Sequence, residues 1–342
     1  MSVVLCFVHL GENPSPTLLS YSKIAKQFLP SAELVLITNH PSNWKSFSGR
    51  IINYSAKFSF NYRGKIALFH YDKFKVANGY WINTLERIFA LDTLKYYFPS
   101  HSTILHFESD VLSFVNPQIL EILKDKITKT AVPRYSDNLG IASFLFSPSI
   151  EQLSKDLSFL EDVFRTNSGW LTDMQLLNLG LKTGILQDLN EITNDSKLTL
   201  NSNRYPTYFD PAFLGQYLFG RDALHTKGNI LSGYVSEYAT LPLSPSYFET
   251  ILIDNLPTIV YQSPNQDAII IGNLHIHSKI PFKNLEDFES MLVLSLKKIQ
   301  NGNNDFLSIG VEDVIHTNNG NFFARVVRFL RKFFSNYLEC NQ

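Results

Sequence analysis

Short apolar runs alternate along this chain with longer segments whose apolar residues recur every three or four positions. Residues 3–10 read as a strand, 18–28 as a helix and 33–38 as a second strand, closed by a His40-Pro41 turn. Such alternation implies an α/β fold, a mostly parallel sheet flanked by helices. In open sheets of this kind ligands lie at the carboxyl ends of strands, so residues 10–13 and 38–40 are natural places for a nucleotide. Residues 81–97 carry Leu85, Ile88, Phe89, Leu91, Leu94 and Tyr97 at helical spacing, and 286–300 read as a late helix.

One apolar run ends abruptly in acid: Ile104-Leu-His-Phe-Glu108-Ser-Asp110. On a strand Glu108 and Asp110 would share a face with Ser109 opposite. Two acids so close repel unless a cation or proton lies between them, so the pair is a natural seat for a divalent metal. A plain strand end running into a polar turn has the same look. Far downstream, Ile269-Ile-Ile-Gly-Asn-Leu-His275-Ile-His277-Ser-Lys279 reads as a buried strand ending in His-x-His, both imidazoles on one face. Imidazole combined with carboxylate suits Mn2+ better than Mg2+. Which histidine binds metal is open.

The strand, the acid-x-acid step and the following Asn116-Pro117 resemble the DxD region of GT-A-fold, nucleotide-sugar-dependent glycosyltransferases, and the late His and Lys resemble the glycogenin and lipopolysaccharide-galactosyltransferase group within it. Glu108 stands where the family's first Asp usually does. The resemblance implies a GT-A-like sheet with Mn2+ (or Mg2+) on Glu108, Asp110, His275 and His277. It implies a nucleotide-diphosphate sugar as donor, with Lys279 and Arg87 near its phosphates and Ser143 lining the donor sugar. Arg87 read alone is equally a solvated helix position, and Ser143 an ordinary strand entry. Asp173, in Thr172-Asp173-Met-Gln175-Leu-Leu-Asn178, matches an acid that faces the reacting sugar in that group, although Thr172 or Asp173 also reads as a helix cap. Met174 stands where the group often has Gln, which leaves retention or inversion open.

Residues 208–222 are dense in aromatics, acids and glycines, as a sugar-binding wall requires, and they nominate Asp210 and Gln216 for contacts to acceptor or donor sugar. An inverting enzyme needs a carboxylate base, a role open to Asp173 or Asp210. The expected reaction is transfer of a sugar to a hydroxyl of a glycan or lipid-linked acceptor. The rivals are another metal-dependent nucleotide enzyme, such as a nucleotidyltransferase or phosphohydrolase, and an inert sugar-binding relative. No G-x-x-x-x-G-K-[ST] phosphate loop is present to favour the former.

Composition narrows the choice. The chain has 342 residues, 44% hydrophobic and 18% charged, with a formal net charge of −1, which lacks the basic excess of a nucleic-acid binder. Its two cysteines, Cys6 and Cys340, form no disulfide framework and fit a reducing compartment. The first residues read as a strand rather than a signal peptide. Residues 1–284 are expected to form the GT-A-like domain and 285–342 a helical C-terminal region. In the latter, Phe322, Val326, Phe329, Phe333 and Tyr337 make one helical stripe opposite Arg325, Arg328, Arg331 and Lys332. That pattern fits an anionic membrane surface, or a docking helix packed on the domain. The first alternative implies a cytoplasmic protein, peripheral on the inner face of a membrane.

Overall fold

The computed structural model describes residues 2–54, 80–167, 171–194, 197–200, 203–221, 232–264 and 266–302. Its strands are β1 (Val3–His9), β2 (Glu33–Thr38), β3 (Arg50–Asn53), β4 (Thr103–Phe107), β5 (Val111–Ser113), β6 (Ala131–Val132), β7 (Arg134–Ser136), β8 (Leu139–Gly140), β9 (Phe144–Ser147), β10 (Gln187–Asp188), β11 (Lys197–Leu200), β12 (Asn203–Phe209), β13 (Phe248–Ile253), β14 (Leu256–Tyr261) and β15 (Ile269–His275).

The main sheet has the order β10-β6-β9-β4-β1-β2-β3. β9 runs antiparallel to β4 and β6, while the other neighbours pair in parallel. After β1 the chain winds outward to β2 and β3, then returns to place β4 on the other side of β1. This reversal makes the carboxyl ends of β1 and β4 the switch point, the place where open α/β sheets hold ligands. Both faces are covered, and β1 and β4 are accordingly apolar runs without alternation, buried throughout except at His9.

Helices start where the sequence supplies a cap. Ser15 and Pro16 open the helix Pro16–Phe28, and the Asn116 side chain accepts the Ile119 N–H at 2.9 Å to open Pro117–Lys126. The helix expected over residues 81–97 spans Tyr80–Ala90 and tightens into a 3-10 turn, Leu91–Tyr96. Leu85, Ile88, Phe89, Leu91 and Leu94 are buried on the sheet as the spacing implies, whereas Tyr97 is exposed.

A second sheet, β11-β12-β15-β14-β13 with β5 paired to β15, stands beside the first. The helix Leu285–Gln300 closes its core, with Phe288 packed on Phe282 and Phe114 at ring-centroid distances of 5.2 and 5.4 Å. Those contacts pack the first helix of the expected C-terminal region on the second sheet. The basic and aromatic segment at 322–337 lies outside the described residues. Among the described residues no helix is long and apolar enough to cross a membrane.

Candidate active site

The acid pair occupies a turn rather than a strand. β4 ends at Phe107, the Glu108 N–H donates to the Ser143 carbonyl at 3.2 Å, and the Val111 N–H folds back to the Glu108 carbonyl at 3.1 Å. The chain then reverses into β5, which pairs antiparallel with β15 so that Val111 stands opposite His275. One further backbone bond, Ile276 N–H to the Asp110 carbonyl at 2.8 Å, fixes that register. Segments more than 160 residues apart in sequence are thereby joined at the switch point of the main sheet.

His275 Nε2 lies 3.4 Å from Glu108 Oε2 and 3.4 Å from Asp110 Oδ1. Donors about 2.1 Å from a shared ion stand roughly 3.0–3.4 Å apart, so the spacing fits a divalent cation. Among the described residues these three side chains are the one group that can gather around a metal. Burial works against a charge on His275, but Asp110 and Glu108 outweigh it and raise the imidazole to about 9. Burial likewise opposes ionisation of Asp110, yet His275, His277 and Lys279 hold it well below the usual carboxylate range. The side chains therefore carry the charges of a cation site, with a protonated imidazole standing in for part of the positive charge.

His277 lies beyond the strand end, its ring centroid 4.4 Å from that of His275. It is not in the cluster around Glu108 and Asp110; its Nδ1 lies 3.3 Å from Gln216 Nε2. Of the two histidines, His275 is the one brought against both acids. Lys279 has a left-handed backbone, φ 54°, in a turn where its N–H donates to the Ile276 carbonyl at 3.0 Å.

Arg87 approaches from the helix Tyr80–Ala90. Its Nη2 meets Glu108 Oε1 at 2.5 Å and Asp173 Oδ2 at 3.9 Å, with all three side chains at most 15% exposed. It is thus the cation between two near-buried carboxylates, not a solvated helix position. Asp173 is the first residue of the helix Asp173–Lys182, whose cap is Thr172: the Thr172 hydroxyl accepts the Gln175 N–H while the Gln175 side chain accepts the Thr172 N–H. The cap belongs to its neighbour, and Asp173 keeps its carboxylate buried beside Arg87, with Thr84 and the Met174 N–H as further partners. Burial raises its pKa, offset in part by Arg87.

Three expected contacts have structural duties instead. Asp210 is fully buried, and its carboxylate accepts N–H groups from Ala212 (2.9 Å), Leu214 (2.9 Å), Gly215 (2.8 Å) and His275 (3.0 Å). With both oxygens so occupied it has no place to receive a proton from an acceptor. From two residues ahead of the N-cap, Ala212, it takes up first-turn N–H groups of the helix Phe213–Phe219 and ties that helix to the strand carrying His275. Ser143 is buried too, its hydroxyl donating to the Asp210 carbonyl at 3.2 Å while its own carbonyl accepts the Glu108 N–H, so it braces the acid turn. Gln216, also buried, orients His277. Gly215 is required here, because a β-carbon would sit 2.0 Å from the His275 carbonyl oxygen. The Arg87 link to Glu108 joins residues 21 apart in sequence and leaves no local trace there.

No protein-family model matches the chain, and no curated protein matches it. Solved structures do. It is similar to the galactosyltransferase LgtC in complex with donor and acceptor sugar analogues (13% identity, 55% of this chain and 73% of that chain, TM-score 0.36). It is similar to the glycosyltransferase GlyE of Streptococcus pneumoniae TIGR4 (14% identity, 56% and 45% covered, TM-score 0.37). A third is mouse xyloside xylosyltransferase 1 (10% identity, 56% and 86% covered, TM-score 0.36). These solved structures are GT-A-type glycosyltransferases.

Proposed function

We propose that this protein is a metal-assisted glycosyltransferase that moves a sugar from a nucleotide diphosphate to a hydroxyl. The observation that carries the proposal is the Glu108, Asp110 and His275 donor set at the switch point of the sheet, with Arg87 and Asp173 directly beside it. An imidazole with two carboxylates favours Mn2+, and the bound ion would supply neutralisation of charge on a leaving diphosphate.

The chain's own residues do the rest. Arg87 holds the Glu108 and Asp173 carboxylates in place by its charge, with Nη2 bonded to Glu108 Oε1 and 3.9 Å from Asp173 Oδ2. Asp173 presents a buried carboxylate beside Arg87 and Glu108, in the role of receiving the acceptor hydroxyl's proton in an inverting transfer or of stabilising developing positive charge on the sugar in a retaining one. Lys279 adds positive charge on the Asp110 side, where donor phosphates would lie. The acceptor side of the proposal is a glycan or lipid-linked glycan, with the segment at 322–337 resting on an anionic membrane surface.

The test is release of nucleoside diphosphate from a panel of nucleotide sugars with Mn2+ or with chelator. Metal-dependent release specific to one sugar supports the proposal. Release of pyrophosphate from a nucleoside triphosphate, or of inorganic phosphate alone, would assign a nucleotidyltransferase or phosphohydrolase instead.

A further inference from the structure

A cavity of about 660 Å³ lies apart from the metal-site cluster, and none of the residues placed in that cluster lines it. Its walls come from β7 and the residues after β10 on one side, and from β12 and the stretch around Tyr238 on the other. Tyr135, Tyr208 and Tyr238 contribute rings, with Tyr135 and Tyr238 at a centroid distance of 5.4 Å. The charged lining is four carboxylates, Asp137, Asp188, Glu191 and Asp267, against Arg134, which Asp188 already engages at 2.8 Å.

That chemistry selects a ligand class. An excess of negative charge repels phosphate, so the cavity does not suit the donor's diphosphate. The carboxylates do not converge on a cation either, since among the described residues only Glu108, Asp110 and His275 come close enough together to share one. Rings that pack on C–H faces, beside carboxylates and amides that accept from hydroxyls, suit an uncharged polyhydroxylated molecule. The size falls within the ordinary range of ligand sites, about 300–1,000 Å³.

Its position ties it to the reaction proposed above. β6 lies two strands from β4 and β10 three, and β6, β10 and β4 share one direction. The residues that follow them therefore lie on the same sheet edge as Glu108, roughly 10–15 Å along it at about 4.8 Å per strand. Tyr135 also packs at 5.1 Å on Phe213, the first residue of the helix that carries Gln216. The Asn190 side chain pins β12 through two 2.8 Å hydrogen bonds to Phe209, beside the buried Asp210.

We infer that this cavity is a second carbohydrate site, holding a neutral oligosaccharide portion of the acceptor at a distance from the bond being formed. The inference rests on the glycosyltransferase reading for its role, but not for the binding itself. The experiment is binding of the full chain, in chelator, to a printed array of neutral oligosaccharides. The expected result is binding to at least one of them, weakened about tenfold by Tyr238→Ala, restored by Tyr238→Trp, weakened by Glu191→Gln and untouched by Asp110→Ala. Tyr238 is 44% exposed, so its truncation leaves the core alone. No neutral glycan bound, or binding indifferent to Tyr238→Ala, or binding lost in Asp110→Ala, overturns the inference. Retained glycan binding without any hydrolysis of a nucleotide sugar would overturn the proposed reaction and leave the cavity assignment standing.

Discussion

Arg87 offers the sharpest test of how the site is built. Replacing it with methionine keeps the volume of its stem and removes the cation that faces Glu108 at 2.5 Å and Asp173 at 3.9 Å. Side-chain exposures of 15%, 10% and 8% for Arg87, Glu108 and Asp173 place the interaction close to the buried limit, where removing one partner costs about 3–5 kcal/mol. Asp173, already pushed upward by burial, can take up a proton and relieve part of that cost, so Arg87→Met should destabilise by about 3 kcal/mol. Glu108→Gln removes the stranded charge. The double variant should therefore recover about 1.5–3 kcal/mol relative to the sum of the singles, the range for a charge-assisted hydrogen bond. Urea unfolding at pH 7.5 in chelator, followed by circular dichroism for all four corners of the cycle, measures the coupling. Single-variant costs below about 0.5 kcal/mol, or additivity within that margin, would refute the view that Arg87 holds these carboxylates in place.

Three further outcomes follow from neighbouring groups. Asp173→Asn should reduce transfer far more than donor binding while leaving stability at pH 7.5 equal or higher, because burial makes the ionised form a cost to the fold; a rate unchanged with an unstable protein would mark a structural residue. His275, raised to about 9, stabilises the chelated fold fully below its ordinary value near 6.5 and loses that contribution as pH rises through about 9, so Mn2+ added at pH 7.5 should release about one proton per ion, and calorimetry in buffers of different ionisation enthalpy that finds none would exclude His275 as a ligand. Deleting residues 318–342 should free the protein from anionic liposomes without stopping transfer to a water-soluble acceptor, each lost cation contributing about 1 kcal/mol; indifference of the intact protein to such liposomes would remove the membrane role.

The legible part of this chain was the part governed by short-range periodicity. Strand β2 falls where apolar patterning placed it, as do the inward positions of the helix Tyr80–Ala90, because burial on one face leaves a local trace. Glu108, Asp110 and His275 were legible as chemistry at the ends of apolar runs, although a turn, not period-two alternation, brings the acids together. Their convergence needs the antiparallel pairing of β5 with β15, a long-range event with no local signature. Asp210 shows the opposite failure. A carboxylate buried by four backbone N–H groups and one poised for proton transfer are spelled alike in sequence, and only the hydrogen-bond inventory separates them. Ser143 and Gln216 are the same case, since the bonds they make to the Asp210 carbonyl and to His277 have no local trace in sequence.

In the proposed reaction Glu108, Asp110 and His275 hold the metal that assists departure of the nucleoside diphosphate. The most direct measurement compares Mn2+-dependent release of nucleoside diphosphate by the wild-type protein, Asp110→Ala and His275→Ala, on the nucleotide sugar that the wild type hydrolyses, with Mn2+ binding measured on the same samples. Removing partners that merely orient a metal ligand typically costs 10–100-fold, so loss of a ligand itself should lower both metal affinity and release by about 100-fold or more. Thermal unfolding should remain cooperative in both variants. Release that is insensitive to chelator, or that survives in Asp110→Ala and His275→Ala at the wild-type rate, would contradict the claim.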